Sequence, residues 1–428
     1  MPKLLRRNLP LDIGWRNCYA EKNEDTEVAP MKKSKGKSTR PDARAWWGKN
    51  RLSCIILAAA VVVFIIVRAL AATHEQPQPR GEDYAEYETA VITDVLSDST
   101  EQDPVSDNGY RGEQLLLAEI RTGQYKGETM QVSNYVGPLY GQALKEGQRA
   151  VVLISTYSDG NHTATVYEYD RAVGLAVIVG LFLLATVAVG GKVGAKSLVA
   201  LAITLVCLFF IMIPLLMKGA PTLLTVFLVC AYITVVTMVI LGGVSSKTIC
   251  AALGTIAGTA LALLFGLLAQ GLLHVDGLRL AEVEPLLQLR QTGTPLGLRG
   301  LLVAGVVISA LGAVMDVAMS IASAIAEIHV QNPALSRRAL FRAGMHVGRD
   351  MMGTDSNTLI LAFAGGSISM LVLDYAYNLP YRQIINSNNI GIAIMQGLSG
   401  SFGIVLAVPV TVALAVLLYT WRKAAPAA

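Results

Sequence analysis

Long apolar runs dominate the hydrophobic pattern of the chain. Eight occur, at approximately residues 52–72, 172–190, 198–217, 221–241, 248–272, 300–326, 356–377 and 391–419. Each is close to or above the ~20 residues that a helix needs to cross the hydrocarbon core of a bilayer. The pattern therefore predicts a polytopic α-helical membrane protein with about eight transmembrane helices and the lipid bilayer as a partner.

The polar segment between the first two runs has a different periodicity. Apolar and polar residues alternate, or β-branched residues concentrate, at Thr89–Val95, Gln114–Arg121, Thr129–Tyr135, Arg149–Tyr157 and His162–Tyr169. Asp159-Gly160-Asn161 is typical of a hairpin turn between the last two. The segment therefore predicts a small all-β domain of the OB-like barrel type. We expect it to be either a rigid cap or a site that recruits an envelope protein.

Composition narrows the class of protein. Hydrophobic residues make up 53% of the chain and charged residues only 15%, which excludes a soluble enzyme, a fibrous protein and a disordered chain. The five cysteines form no CxxC pair, so neither a zinc site nor a disulfide framework is expected. We also expect no cofactor and no nucleic-acid partner.

Charge is distributed unevenly along the chain. Residues 1–51 carry 13 basic and 6 acidic side chains, whereas residues 73–170 carry 17 acidic and 6 basic ones. The positive-inside rule then places the first segment in the cytoplasm and the second outside. The expected order is a basic cytoplasmic arm at 1–51, a transmembrane helix at 52–72, an extracytoplasmic β domain at 73–170, a seven-helix membrane domain at 171–422 and a cytoplasmic tail at 423–428. Met31 precedes a basic stretch and an apolar run, so it is an alternative start of translation.

Residues 336–352 are basic but patterned. Ser336 is a suitable N-cap, and apolar or small residues recur at helical spacing after it, at Leu340, Gly344, Val347 and Met351. The arginines fall on the other faces. We expect an amphipathic helix on the cytoplasmic surface of the membrane.

Asp316 is the clearest candidate for chemistry, because it lies near the middle of the sixth run. A carboxylate there costs ~3 kcal/mol on an insertion scale, so it persists where it faces a partner or water. Ser309, Ser320, Ser323 and Glu327 lie on the same helical stripe. The stripe predicts one wall of a proton or cation path; the alternative is a buried acid, protonated or hydrogen-bonded to serines, that only fixes helix packing.

Polar residues also crowd the start of the seventh run, where Arg349, Asp350, Thr354 and Asn357 are candidate motif or path-lining residues. Thr354 or Asp355 would cap the helix there, and Arg349 would pair with Asp350 in the simplest interpretation.

Glycines interrupt the last two runs, at Gly365-Gly366-Ser367 and again at Gly397, Gly400 and Gly403 beside Gln396. Broken spans expose backbone groups to substrates in transporters, so Ser367 and Gln396 are candidate path-lining residues. Close packing of small residues is the alternative.

Four strings carry a family resemblance: Met315–Ser323, Gly348–Thr354, Asn357–Phe363 and Leu406–Val410. In these strings the chain resembles the YibE/F-like family of bacterial integral membrane proteins, over about Ala90 to Leu418. The resemblance implies an eight-span protein of the bacterial cytoplasmic membrane and leaves the activity open.

Two functions are consistent with these features. The first is a permease or secondary-transporter-like protein with Asp316 as the coupling carboxylate and Glu327 as its cytoplasmic relay. The second is a non-transporting scaffold whose β domain recruits an envelope partner. No metalloprotease, serine-hydrolase, aspartyl-protease or Walker A motif occurs, so we do not expect an enzyme.

Overall fold

The computed structural model describes residues 43–72, 84–106, 109–157, 161–275, 278, 283–291 and 293–421. The chain divides into two compact units, residues 1–49 and 50–428, and apart from residues 43–49 the features below belong to the second. The start at Met31, residues 1–42 of the predicted N-terminal arm, the Asp159-Gly160 turn and the C-terminal tail lie outside the described residues, whereas residues 43–51 of the predicted arm are helical.

Six strands form the β domain. They are β1 Tyr84–Asp98, β2 Glu101–Gln102, β3 Tyr110–Ile120, β4 Thr129–Val136, β5 Arg149–Thr156 and β6 His162–Tyr169. All five predicted strands are confirmed, and the first extends further in both directions than its alternating core. The short β2 strand was not predicted, because two residues are too few to show a period.

The sheet closes into a five-stranded barrel. Its order is β1-β5-β6-β4-β3, and β3 pairs with β1 again, while β2 extends from β3. All pairs are antiparallel except β4 with β6. This is the strand order of the OB-like barrel, so the predicted barrel is confirmed.

Alternating residues of β1, β3, β4 and β5 fill the barrel. Ile92, Leu116, Val132, Val152 and Ile154 are all buried, as expected where every second side chain of a strand points inward. A polar cluster adds to this core: the Gln114 amide donates to Asp98 Oδ2 at 2.8 Å and accepts from the Leu144 N–H at 2.8 Å. These bonds attach the segment before β5 to the rest of the barrel.

Eleven helices are described. They are α1 Ala43–Ala72, α2 Ala172–Cys207, α3 Ile213–Met217, α4 Thr222–Gly242, α5 Ser246–Leu273, α6 Val283–Gln291, α7 Leu301–Gln331, α8 Arg337–Gly366, α9 Ile368–Ala376, α10 Tyr381–Ile385 and α11 Asn388–Trp421. Among the described residues, six helical segments are long and apolar enough to cross a membrane, or seven if the bent α8–α9 pair is one span.

The second and third predicted runs fall within a single helical segment. It covers Ala172–Met217, 46 residues, or ~69 Å at ~1.5 Å per residue, which is more than twice the thickness of a bilayer core. Gly191 has φ 53° and ψ −131°, a non-helical backbone that falls between the two runs. Two crossings here, and eight in all, stay a prediction.

Close contacts of small residues hold α5, α7 and α11 together. A Cβ on Gly258 of α5 would lie 2.7 Å from both Ala407 and Val314, and one on Gly403 would lie 2.6 Å from Ala262. The predicted interruption of the eighth run is wrong, because α11 continues through Gly397, Gly400 and Gly403. Small-residue packing between helices accounts for these glycines.

The first helix makes specific contacts although it is largely exposed. The Tyr232 hydroxyl of α4 donates to the Ala60 carbonyl at 2.7 Å, and the Val244 N–H donates to Ser53 Oγ at 3.2 Å. Arg68 lies over the Phe210 ring, 5.5 Å from its centroid. These contacts attach α1 to the helices that follow the barrel.

A candidate intramembrane polar site on α7 and α8

Helix α7 presents one polar stripe along its whole length. The helix is unbroken from Leu301 to Gln331, so the stripe residues lie one above another at steps of three or four. They are Gly305, Ser309, Gly312, Asp316, Ser320, Ser323 and Glu327. The structure thus places Asp316, Ser320, Ser323 and Glu327 on one face.

This stripe borders open space. Asp316, Ser309 and Glu327 are exposed, and a Cβ added at Gly305 or Gly312 would meet no atom within 4 Å. The opposite face of α7 is buried and apolar, with Val307, Val314, Val317 and Ile321 among its residues. The helix therefore turns its polar side away from the protein core.

The serines of the stripe bond to their own helix. Ser309 Oγ donates to the Val306 carbonyl at 3.0 Å, and Ser323 Oγ donates to the Met319 carbonyl at 2.6 Å. The serines therefore do not satisfy Asp316, since no described residue hydrogen-bonds to its carboxylate, and a protonated acid that only fixes packing stays the alternative. Asp316 is instead available to a ligand, a proton or water.

Asp355 of α8 is the charged neighbour of Asp316. It is half-buried and interacts electrostatically with Asp316, and no arginine or lysine among the described residues does so. Two like charges repel each other, and a bound cation or a proton relieves that repulsion. The arrangement is chemically suited to hold one of these.

The sequence interpretation of this part of α8 is wrong. Thr354 and Asp355 do not cap a helix, because α8 runs from Arg337 to Gly366 without interruption. Ser336 is the N-cap, as predicted, and its Oγ accepts from the Ala339 N–H at 3.3 Å. The predicted surface helix and the start of the seventh run are therefore one helix.

Helical phase is the signal that would have placed Asp355. It lies seven and eleven residues after Gly348 and Gly344, and those glycines contact Ile321 and Ile325 of α7. Seven and eleven residues are close to two and three turns, so Asp355 shares their inward side. When Thr354 or Asp355 is interpreted as a helix cap, Gly344 and Gly348 fall in a different helix, and this phase relation is lost.

The other α8 candidates are more exposed than Asp355. Arg349, Asp350, Thr354 and Asn357 are exposed. Asp350 lies 3.8 Å from His346 Nδ1, so the expected pair with Arg349 is wrong. Thr354 Oγ1 donates to the Asp350 carbonyl at 3.3 Å.

The predicted break of the seventh run occurs at Ser367. Helix α8 ends at Gly366, and α9 continues at an angle of 58°. Ser367 lines an apolar cavity of about 290 Å³ between this bend and α11. Gln396 is half-buried on α11, and no contact among the described residues joins Ser367 or Gln396 to Asp316.

Acidic and other metal-ligating side chains are sparse around the polar face in the described part of the chain. Among the described residues, no group of three or more histidine, cysteine, aspartate or glutamate side chains could hold a metal ion. Asp316 and Asp355 are a pair rather than a ligand set.

Comparison with known proteins identifies the membrane domain. The family model described as YibE/F-like protein matches residues 178–421, more than half of the chain, and the barrel lies outside the match. Neither the curated proteins nor the solved structures contain a match. With its long apolar helices and a matched segment that reaches from α2 to the end of α11, the chain belongs to the YibE/F-like family of membrane proteins.

Proposed function

We propose that this protein is a permease or secondary-transporter-like protein rather than an enzyme, and that the polar face of α7 and α8 lines its path. The observation that carries the proposal is the pair Asp316 and Asp355, which lie on adjacent helices with no basic partner among the described residues. Its place would be the bacterial cytoplasmic membrane, with both termini in the cytoplasm.

The energetics of the pair support this role. A single carboxylate at the centre of a bilayer already costs ~3 kcal/mol on an insertion scale, and a second one nearby adds repulsion. A site that holds two acids therefore favours uptake of a proton or cation. Such uptake couples ion binding to the state of the helices around it.

The extent of the stripe supports the same role. From Gly305 to Glu327 it covers 22 helical steps, ~33 Å at ~1.5 Å per step, which is close to the thickness of a bilayer core. No large apolar side chain interrupts it. A face of this composition is unfavourable against lipid and favourable against water or a polar solute.

A scaffold is the second candidate, and the surface of the barrel favours it. Tyr87 and Tyr167 are 58% and 59% exposed and pack edge to face with centroids 4.9 Å apart. Leu139 and Tyr140, after β4, are 94% and 64% exposed. Exposed aromatic groups of this kind are enriched at protein interfaces, so the barrel would recruit an envelope protein.

The decisive experiment compares variants of the acidic pair in a deletion strain. Untargeted uptake and efflux profiling would identify the solutes whose levels change, and each variant would then be tested for restoration. We expect Asp316→Asn and Asp355→Asn to reach the membrane at normal abundance but to restore transport at least tenfold less well, because neither amide titrates.

Asp350→Asn is the matched control, since Asp350 is an exposed acid on the same helix that pairs with His346. It should restore transport fully. Full restoration by Asp316→Asn, with lower abundance only for Asp316→Leu, would assign Asp316 to packing and remove the transport proposal.

A further inference from the structure

A groove at the start of α8 collects positive charge without any negative charge. It has a volume of about 650 Å³ and lies between the first half of α8 and the last turns of α11. Four arginines line it, at positions 337, 338, 342 and 349. All four are exposed, and no acidic residue is among those that line the groove.

The four guanidinium groups are unpaired within the described part of the structure. Among the residues that the structure describes, none of the four guanidinium groups forms an ion pair or a hydrogen bond. The nearby acids are otherwise engaged: Asp350 lies by His346, and the Glu327 carboxylate accepts from Gln331 at 2.9 Å. The first turn of α8 also contains no acid, although the positive end of a helix favours one.

The floor of the groove is apolar. Phe341 and Met345 of α8 and Val416 and Leu417 of α11 form it. The α11 residues lie in the last turns of an apolar segment, Asn388–Thr420, that is long enough to cross a membrane. The groove is therefore at the boundary between hydrocarbon and headgroups, with charge on its rim and an apolar surface beneath.

We propose that this groove binds an anionic phospholipid of the surrounding bilayer. Arg338 and Arg342 are four residues apart on one helix, ~6 Å along its axis, so both guanidinium groups can reach one phosphodiester. Arginine presents paired N–H donors that match phosphate oxygens. The acyl chains lie over Phe341, Met345 and Leu417, and basic pockets between helices at this depth recognise such headgroups.

A soluble anion does not account for both the arginines on the rim of the groove and its apolar floor. Inorganic phosphate would use the arginines and leave the apolar floor uncovered, whereas a phospholipid covers charge and floor together. The proposal does not depend on transport, because no residue of the groove belongs to the Asp316–Asp355 pair.

The test uses the full-length protein purified in detergent. Native mass spectrometry measures retained lipid after incubation with phosphatidylglycerol or phosphatidylcholine, and a melting curve is recorded with each lipid and with inorganic phosphate. We expect retention of phosphatidylglycerol and a rise in Tm with it, and little change with phosphatidylcholine or phosphate.

The variant Arg338→Gln with Arg342→Gln should weaken retention by roughly 25-fold, since each basic side chain near an anionic surface contributes roughly fivefold. Lys192→Gln with Lys196→Gln is the matched control. These lysines of α2 are also exposed and four residues apart, but they line no described cavity. This control should retain lipid as the wild type does.

Three results would overturn the proposal: equal loss in both double variants, no preference for the anionic lipid, or a rise in Tm with inorganic phosphate that equals the rise with lipid. If the double variant cannot be purified, Arg342→Gln alone should lose roughly fivefold, and wild-type retention in that variant would overturn it equally.

Discussion

At the scale of single residues, Asp355 changes the interpretation of Asp316. An isolated acid in a membrane helix ordinarily either forms a hydrogen bond within the protein or contacts water. Asp316 has no hydrogen-bond partner among the described residues, and its charged neighbour is a second acid. Repulsion between the two carboxylates therefore favours binding of a proton or cation more than Asp316 alone would.

Glycine has two distinct uses in this molecule, and a pair of substitutions separates them. Gly403→Ala should destabilise the protein by about 1–3 kcal/mol, because the new Cβ would lie 2.6 Å from Ala262 and 3.0 Å from the Gly258 carbonyl. Thermal unfolding in detergent measures the change.

Gly312→Ala is the matched control for this substitution. A Cβ there meets no atom within 4 Å, and alanine has the higher helix propensity. Its Tm should equal or exceed that of the wild type. If Gly312→Ala lowered Tm as much as Gly403→Ala, Gly312 would have to pack against something other than the described residues.

At the scale of elements, α8 joins two segments that the sequence predicts as separate, a surface helix and the start of the seventh run. Its first half carries arginines over the groove with α11, and its middle carries Asp355 toward α7. Because the helix is continuous from Arg337 to Gly366, the two sites are rigidly connected. The bend at Ser367 ends that rigid unit.

The barrel should fold on its own. Ten buried apolar residues form its core, and the strands close on themselves without a free edge between β1 and β3. Residues 80–170 expressed alone should be soluble and should melt cooperatively, with a Tm unchanged by reductant. A random-coil circular dichroism spectrum would contradict this.

The same fragment should lose stability in acid through Asp98. A hydrogen bond from the Thr100 hydroxyl, with others from the Thr100 N–H and Gln114, holds the pKa of Asp98 below its ordinary 3.8. A carboxyl with a lowered pKa stabilises the fold above its unfolded pKa, and that contribution disappears as the pH falls through the folded pKa. Asp98→Asn should therefore weaken the fragment at pH 7 and reduce its further loss below about pH 4.

At the scale of the whole molecule, orientation follows from charge and can be measured. Glu128, after β3, and Asn332, between α7 and α8, are both exposed. In a background without reactive native cysteines, an impermeant thiol reagent should label Glu128→Cys in intact cells and Asn332→Cys only after lysis. Labelling of Asn332→Cys alone in intact cells would reverse the proposed topology.

Much of the fold was predictable because its signals are local. The strands of the barrel have a period of two, and the apolar runs of the membrane domain have the length of a bilayer crossing. The Ser336 cap and the break at Ser367 also depend on neighbouring residues only. The stripe on α7 follows from the spacing of Asp316 and its serines along one helix.

Other features depended on contacts between distant segments. The glycines of α11 are typical of a broken helix, but Gly403 packs closely on Ala262 and Gly258 of α5, and Gly400 packs closely on Leu359 of α8. Polar residues near Asp355 are typical of a helix start. In the structure α8 continues through them, and Gly344 and Gly348 on its preceding turns pack closely on α7.

The sequence by itself determined the membrane class, the barrel and the polar stripe, because apolar length, alternation and helical spacing are properties of single segments. Only the tertiary structure decided that Asp355 of α8 comes within electrostatic range of Asp316 and that four arginines share one groove with α11. These pairings depend on how helices rotate and pack against each other. That rotation is set by contacts among α5, α7, α8 and α11, which no single segment contains.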